Sequence, residues 1–262
     1  MNDQPRSITL EPPQTVFDWK CLQPSEVALV AKAMKTHGYA VLDNLVSDED
    51  IRHACEVANR LVGENGNESV FRGGQEGLSG HLLSELHGEL GTFFGELFQA
   101  ISGRPAASTR IRQSSRFLAG ASHNEFAGYY HFDSYVVGLI VPILLPEPGM
   151  GGEFVISPNA RPLRQPYVVS AVQKALYDTR FMQKRLARLS DDGRTAQVPM
   201  TTAKGYLFIG HTTLHSNERC IGNQRRFTVI FHFGNPHEGS KVHRLGTLMS
   251  GGYHSMIETL GL

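Results

Sequence analysis

Hydrophobic positions recur along this chain in two rhythms, and the change between them falls near residue 105. The first part reads as helical. From Gln23 to about Thr36 the apolar positions Val27, Leu29, Val30 and Met34 follow a helix opened by Pro24-Ser25-Glu26. Gly38-Tyr39-Ala40-Val41-Leu42-Asp43 reads as a short strand. Ser47 then offers an N-cap with Asp48, Glu49 and Asp50 in the first turn, where negative charge favours the helix start, and a second helix continues to about Val62. Residues 64–77 are glycine-rich and polar, which predicts a loop. A third helix over 78–101 carries Leu82, Leu83, Leu86, Leu90, Phe93, Phe94, Leu97 and Phe98 at three-and-four spacing, one broad apolar stripe that must pack on a core.

Beyond residue 105 short β-rich runs are separated by glycine, proline and asparagine: 108–118, 128–133, 135–145, 152–157, 206–209 and 225–233. One helix interrupts them, over about 170–189. Val172, Leu176, Met182, Leu186 and Leu189 roughly share a stripe there, while Lys174, Arg180, Lys184, Arg185 and Arg188 lie elsewhere. A packed helix with a solvated basic face is the plainer reading, and a lid that attracts an anionic substrate is the other. Helices first and strands later predict an α+β, mainly β fold: a double-stranded β-helix (jelly roll, cupin-like) backed by the N-terminal helices. We expect residues 1–16 to be a flexible leader and 17–262 one domain, with a helical part (17–105), a jelly-roll core (106–235) and a C-terminal extension (236–262).

Composition narrows the function. With 40% hydrophobic and 19% charged residues among 262, this is an ordinary globular chain. A formal net charge of zero supplies no broad positive field, so nucleic acid is not an expected partner. The start of the chain lacks a signal-peptide pattern, and the longest apolar run, 136–145, is broken by Gly138 and Pro142 and too short to span a bilayer. No membrane association is expected. Cys21, Cys55 and Cys220 are too few and scattered for a disulfide framework or thiolate zinc site, which suggests reduced thiols and a cytoplasmic location.

The chemistry concentrates in Tyr129-Tyr130-His131-Phe132-Asp133. On an extended segment His131 and Asp133 project to the same side. A later strand that brought His215 alongside would complete two imidazoles and one carboxylate on one face of an ion, the facial arrangement suited to non-haem Fe(II). An H-x-D triplet alone proves little, since a hydrogen-bonded strand histidine and a turn aspartate produce it too.

Order and spacing add to it. Gly38 to Asp43, Leu45 to Ile51, His131-Phe132-Asp133, Met150-Gly151-Gly152-Glu153-Phe154, Gly205 to Ile209 and Leu214-His215-Ser216-Asn217 ahead of Arg226 together resemble the Fe(II)/2-oxoglutarate-dependent dioxygenase superfamily, and within it the phytanoyl-CoA dioxygenase-like group, over about residues 24–234. The resemblance implies His131, Asp133 and His215 as iron ligands, with 2-oxoglutarate as cosubstrate and O2 as oxidant. His211 competes for the third position; the resemblance prefers His215 for its Thr213-Leu214 and Ser216-Asn217 flanks. The distal carboxylate of 2-oxoglutarate needs a cationic fork, for which Arg225 and Arg226 compete. Alternation puts Phe227, Val229, Phe231 and Phe233 with Arg225, and Thr228, Ile230 and His232 with Arg226, so Arg226 should face the pocket with Thr228 beside it. On the preceding strand Gln113, or one of Arg112 and Arg116, is expected to touch cosubstrate or substrate. Asn124, Tyr129 and Tyr135 could line the substrate side.

These readings predict an enzyme that hydroxylates an unactivated C–H bond of a small polar metabolite, such as an amino acid or carboxylate, with succinate and CO2 as coproducts. A protein hydroxylase of the same superfamily and a non-catalytic cupin-like binding protein are the alternatives. Asp133 argues against halogenation, because related halogenases are similar but carry glycine or alanine there. No coenzyme A motif appears.

Overall fold

The computed structural model describes residues 8–9, 16–64, 69–73, 84–119, 127–163, 166–191 and 195–238. In chain order the elements are β1 (Ile8–Thr9), β2 (Val16–Asp18), α1 (Val27–His37), β3 (Tyr39–Asp43), α2 (Asp48–Glu64), β4 (Ser69–Gly73), α3 (Ser84–Ser102), β5 (Arg112–Ala119), β6 (Val137–Leu144), β7 (Phe154–Ser157), α4 (Tyr167–Tyr177), α5 (Arg180–Asp191), β8 (Ala196–Val198), β9 (Gly205–Ile209), β10 (Leu214–Asn217) and β11 (Arg226–Phe233). A seven-stranded sheet runs β2-β3-β9-β6-β11-β5-β4, and a four-stranded sheet runs β1-β8-β7-β10. Pairing is antiparallel except at the edges, where β1–β8 and β2–β3 are parallel. The architecture is the expected jelly roll with helices against one sheet.

The central strands β3, β9, β6 and β11 of the large sheet are buried on both faces, and alternation sorts their side chains. Leu139, Val141, Leu207, Ile209, Phe227, Val229, Phe231 and Phe233 face a core with α1, α2 and α3. Ile140, Tyr206 and Phe208, with Tyr39 and Val41, face inward against Phe154 and Ile156 of the small sheet. A strand buried on both faces reads as a continuous apolar run, which is why 136–145 looks so hydrophobic. Truncating Phe227 or Phe231 to alanine costs about 3–5 kcal/mol at such positions.

Local signals work as expected at α2, where the Asp50 N–H donates to Ser47 Oγ at 3.2 Å. The expected loop over 64–77 contains a strand, because Ser69–Gly73 gains an edge position beside β5, a tertiary pairing that its own composition does not announce. Of the expected helix over 78–101, residues 78–83, including Leu82 and Leu83, lie outside the described residues. The expected helix over 170–189 is two helices. Thr179 breaks it and caps the second, accepting from the Met182 N–H at 3.3 Å. The stripe therefore does not hold: Leu186 is buried and Met182 half-buried, whereas Val172 and Leu176 point to solvent.

Met150-Gly151-Gly152 turns the chain between the sheets. Gly151 has φ +75°, and a Cβ there would strike the Arg219 carbonyl oxygen; Gly152, at φ +83°, packs against Pro146 and the Cys220 sulfur. None of Cys21, Cys55 and Cys220 forms a disulfide among the described residues. Among the described residues no helix is long and apolar enough to cross a membrane.

Candidate metal centre

The segment carrying His131 joins the small sheet through a single antiparallel bridge to His215. Each residue's N–H donates to the other's carbonyl at 3.0 Å. This sets the two imidazoles side by side, with ring centroids 4.3 Å apart. The Asp133 N–H donates to the Gly210 carbonyl at 3.0 Å. The carboxylate turns toward the pair: Oδ1 lies 3.8 Å from His131 Nε2 and 3.6 Å from His215 Nε2.

Both imidazoles have the tautomer a metal needs. His131 Nδ1 lies 3.1 Å from the Tyr129 carbonyl and His215 Nδ1 3.0 Å from the Thr213 carbonyl. A carbonyl only accepts, so each Nδ1 carries the proton and each Nε2 keeps its lone pair. Desolvation of the inward edge of the His131 ring, with His215 adding to the effect, lowers its imidazole, so it is neutral at ordinary pH although the outer edge stays open to solvent. Burial opposes ionisation of Asp133, but His215, His232 and His131 outweigh it and hold the carboxyl well below its usual range. The His131 side chain is 38% exposed against 7% for His215, so the open side lies over His131.

Two further contacts fix Asp133. His232 Nε2 is 3.3 Å from Oδ2. On another side Gly210 leaves no space, since a Cβ there would land on Oδ2. The sequence reading did not count His232 among the site residues, although alternation had put it on the face of Arg226. The Tyr135 ring stacks on His232 at 5.4 Å, and the Arg112 guanidinium lies 6.0 Å from the Tyr135 centroid.

Strand β11 separates the two arginines as alternation predicts. Arg226 is 2% exposed, and its NH1 donates to Thr228 Oγ1 at 3.3 Å. Burial, with Arg116 nearby, pushes its guanidinium down to about 10. Arg225 points the other way, bonding Asn59 of α2 at 3.0 Å. The β5–β11 register pairs Arg116 with Thr228, Arg112 with His232 and Gln113 with Phe231. Directly opposed residues share a face, so Gln113 belongs to the helix-facing side with Phe231 and Phe117, away from His131, Asp133 and His215. That corrects the expectation for Gln113: a one-residue step along a strand exchanges faces, and Arg116 occupies the inward position. Its NH1 donates to Asn217 Oδ1 at 2.7 Å, beside His215 on β10.

His211 is not part of the triad. Arg161, from the turn after β7, donates through Nε to the His211 carbonyl and places NH2 3.0 Å from His211 Nδ1. Burial, then Arg161 and His237, push His211 down to about 3. Arg161 also stacks on Phe132, 4.2 Å from its centroid, and reaches the Asp133 carbonyl. No sequence pattern marked Arg161. Helices α4 and α5 roof the segment: Gln183 accepts from the Tyr130 N–H at 2.9 Å and donates to the Tyr130 carbonyl at 2.8 Å, and the Tyr129 hydroxyl donates to Asp178. Asn124 lies outside the described residues.

The three donor atoms fall within 4.8 Å of one another, a set able to hold a metal ion. Ion-to-donor bonds of about 2.0–2.2 Å put neighbouring donors roughly 3 Å apart, so closing on an ion needs movements of under about an ångström. Two imidazole nitrogens and one carboxylate oxygen form the facial donor set associated with non-haem Fe(II).

No protein-family model matches the chain, and no curated protein matches it. Solved structures resemble it loosely. A Pseudomonas putida prolyl-4-hydroxylase is 12% identical over 80% of this chain and 98% of that one, with a TM-score of 0.48. The α-ketoglutarate-dependent epimerase SnoN of nogalamycin biosynthesis is 13% identical over 80% and 84%, with a TM-score of 0.47. The rice dioxygenase for auxin oxidation is 9% identical over 86% and 83%, with a TM-score of 0.49. A likeness this loose assigns no chemistry to this chain.

Proposed function

We propose that this protein is an Fe(II)/2-oxoglutarate-dependent oxygenase that hydroxylates a C–H bond of a small polar or anionic metabolite. One observation carries the reading: two imidazoles with Nδ1 tied to backbone carbonyls and one carboxylate converge in a jelly roll whose inward face also carries a buried arginine with a hydroxyl neighbour. When bound, iron and 2-oxoglutarate supply the oxidising chemistry, with succinate and CO2 as coproducts.

In this reading His131, Asp133 and His215 hold the metal, and the opposite face is left for cosubstrate and oxygen. Arg226 forms the floor of the cosubstrate site. Its fork can donate two parallel hydrogen bonds to a carboxylate, and Thr228 adds a hydroxyl. Burial of Arg226 removes competing water, so an anion that reaches it recovers charge-assisted bonds the guanidinium otherwise lacks. The side over His131, bordered by Tyr129, is the approach for substrate. Arg116 and Arg112, opposite Thr228 and His232 on the inward face of β5, make the pocket face cationic, which favours a substrate with a carboxylate or another anionic group. The eleven residues from His215 to Arg226 resemble the phytanoyl-CoA dioxygenase-like spacing, which supports Arg226 without implying an acyl-thioester substrate.

The test is anaerobic. Fe(II) and 2-oxoglutarate are added to metal-free protein, and the visible charge-transfer band of the chelate is followed in wild type, His131→Ala and Arg226→Ala. The band is expected in wild type, absent in His131→Ala, and displaced to much higher 2-oxoglutarate concentration in Arg226→Ala. Metal binding without a band in wild type would leave a metal-binding protein and remove the oxygenase reading.

A further inference from the structure

Helix α4 is amphipathic in the reverse of the usual sense. Its half-buried positions are Tyr167, Ser170, Gln173 and Tyr177, and none of its residues is buried. Ser170 Oγ lies 3.1 Å from His237 Nε2, Gln173 accepts from Arg161, and the Tyr177 ring stacks on Phe132. The outward face is apolar: Val168 is 56% exposed, Val169 45%, Val172 53% and Leu176 54%, and Phe181, in the first turn of α5, is 76% exposed. Among the described residues nine large apolar side chains are exposed, and these are five of them. A surface helix normally turns such a stripe to the core, and a concentration of this kind marks an interaction surface.

The charges beside the stripe select its occupant. Lys174, Arg180, Lys184, Arg185 and Arg188 are exposed, and the one carboxylate between residues 167 and 188 is Asp178, which is engaged by Tyr129. The chain as a whole has no net charge, so this excess is local. A second copy packed face to face would bring the same cations against themselves. An anionic membrane would meet an apolar ridge built on α4 only one side chain wide, Val169, Val172 and Leu176 at i, i+3 and i+7, a shape that fits the ridge of one helix rather than a flat surface.

We propose that the outer face of α4–α5 is a docking surface for a partner protein that presents an acidic amphipathic helix. The partner's apolar ridge packs on Val169, Val172 and Leu176, and its carboxylates meet the α5 cations. The same two helices and the Asp178 between them grip the segment carrying His131 through Gln183, Asp178 and Tyr177, so the partner docks on the outside of the roof over that segment. The surface itself does not depend on which reaction the centre performs.

The experiment uses the full chain and, as probe, a synthetic helical peptide of roughly 18 residues with leucine at i, i+3, i+4 and i+7 and glutamate elsewhere. Its lysine counterpart and phosphatidylserine-containing vesicles serve as the other arms. Binding is read by amide chemical-shift changes. The glutamate peptide is expected to perturb residues 167–188, to weaken about tenfold when salt rises from low to physiological strength or above, and to weaken about tenfold or more in Leu176→Asp, which keeps its metal affinity. Equal binding of the lysine peptide, no binding of the glutamate peptide, vesicle binding lost in Leu176→Asp, or self-association lost in Leu176→Asp would each overturn the proposal.

Discussion

Gly210→Ala isolates the packing around Asp133 from every other feature of the centre. Gly210 does not have a positive φ, so its backbone accepts alanine without strain. The three atoms nearest the added methyl all belong to Asp133: Oδ2 and Cβ, the latter at 2.9 Å, fall closer than real contacts allow, and Cγ at 3.1 Å is tighter than most. Asp133 has little room to retreat, because His232 stands 3.3 Å from Oδ2 and the two imidazoles face Oδ1. Overpacking of this kind costs about 1–3 kcal/mol, and each kcal/mol lowers Tm by roughly 2–4 °C in a chain of this size. Displacing the carboxylate should also weaken metal binding by about 10–100-fold, the usual effect of disturbing a ligand's support. Anaerobic Fe(II) titration and thermal unfolding of the metal-free protein read the two effects separately. In an Asp133→Gly background the contacted atoms are gone, and Gly210→Ala should then change stability by less than about 0.5 kcal/mol, as independent sites do. A Gly210→Ala protein with wild-type Fe(II) affinity and Tm would refute the reasoning, because Asp133 could then not be held where these contacts put it.

Three other predictions follow from the same geometry. Arg226→Lys keeps the charge but loses the fork; forfeiting one charge-assisted hydrogen bond of about 1.5–3 kcal/mol should raise the apparent Kd for 2-oxoglutarate about 10–100-fold, while Arg225→Ala leaves it unchanged, and equal effects of the two in an anaerobic titration would refute the assignment. His232→Ala should lower Fe(II) affinity about 10–100-fold and His232→Gln should recover most of it by keeping a donor near Oδ2; an unaffected alanine variant would show that His232 does not position Asp133. Burial and the hydrogen bond to Glu153 raise Glu218 to about 7 from 4.5. The folded state therefore holds a proton that the unfolded chain has released, and this contribution is complete below about pH 4.5 and lost as pH rises through 7. Glu218→Gln should remove that loss, gaining on wild type between pH 5 and 8 in chemical denaturation; the same pH difference in both proteins would count against the shared proton.

Much of the fold and of the centre was legible along the chain because the governing forces are local and periodic. Alternation on β11 separated Arg226 from Arg225 and put His232 on the pocket face, and the structure turns them that way because side chains on a strand must alternate. Ser47 announced the start of α2 by its own hydrogen bond. The apolar run through β6 showed a strand buried on both sides. Where the reading went astray, the deciding partner lay far away in sequence. Gln113 and Arg116 are equally polar on β5, and only the register with β11 tells which one faces inward. Strand β4 exists because β5 offers it an edge. The stripe expected over 170–189 dissolved because Thr179 breaks the helix and because Arg161 and His237 recruit the polar side of α4 inward. Residue types and their period determined which groups could act; the tertiary structure alone decided which met, because a bridge between His131 and His215, or a glycine at 210 making room for Asp133, is a fact about two distant segments and is written in neither.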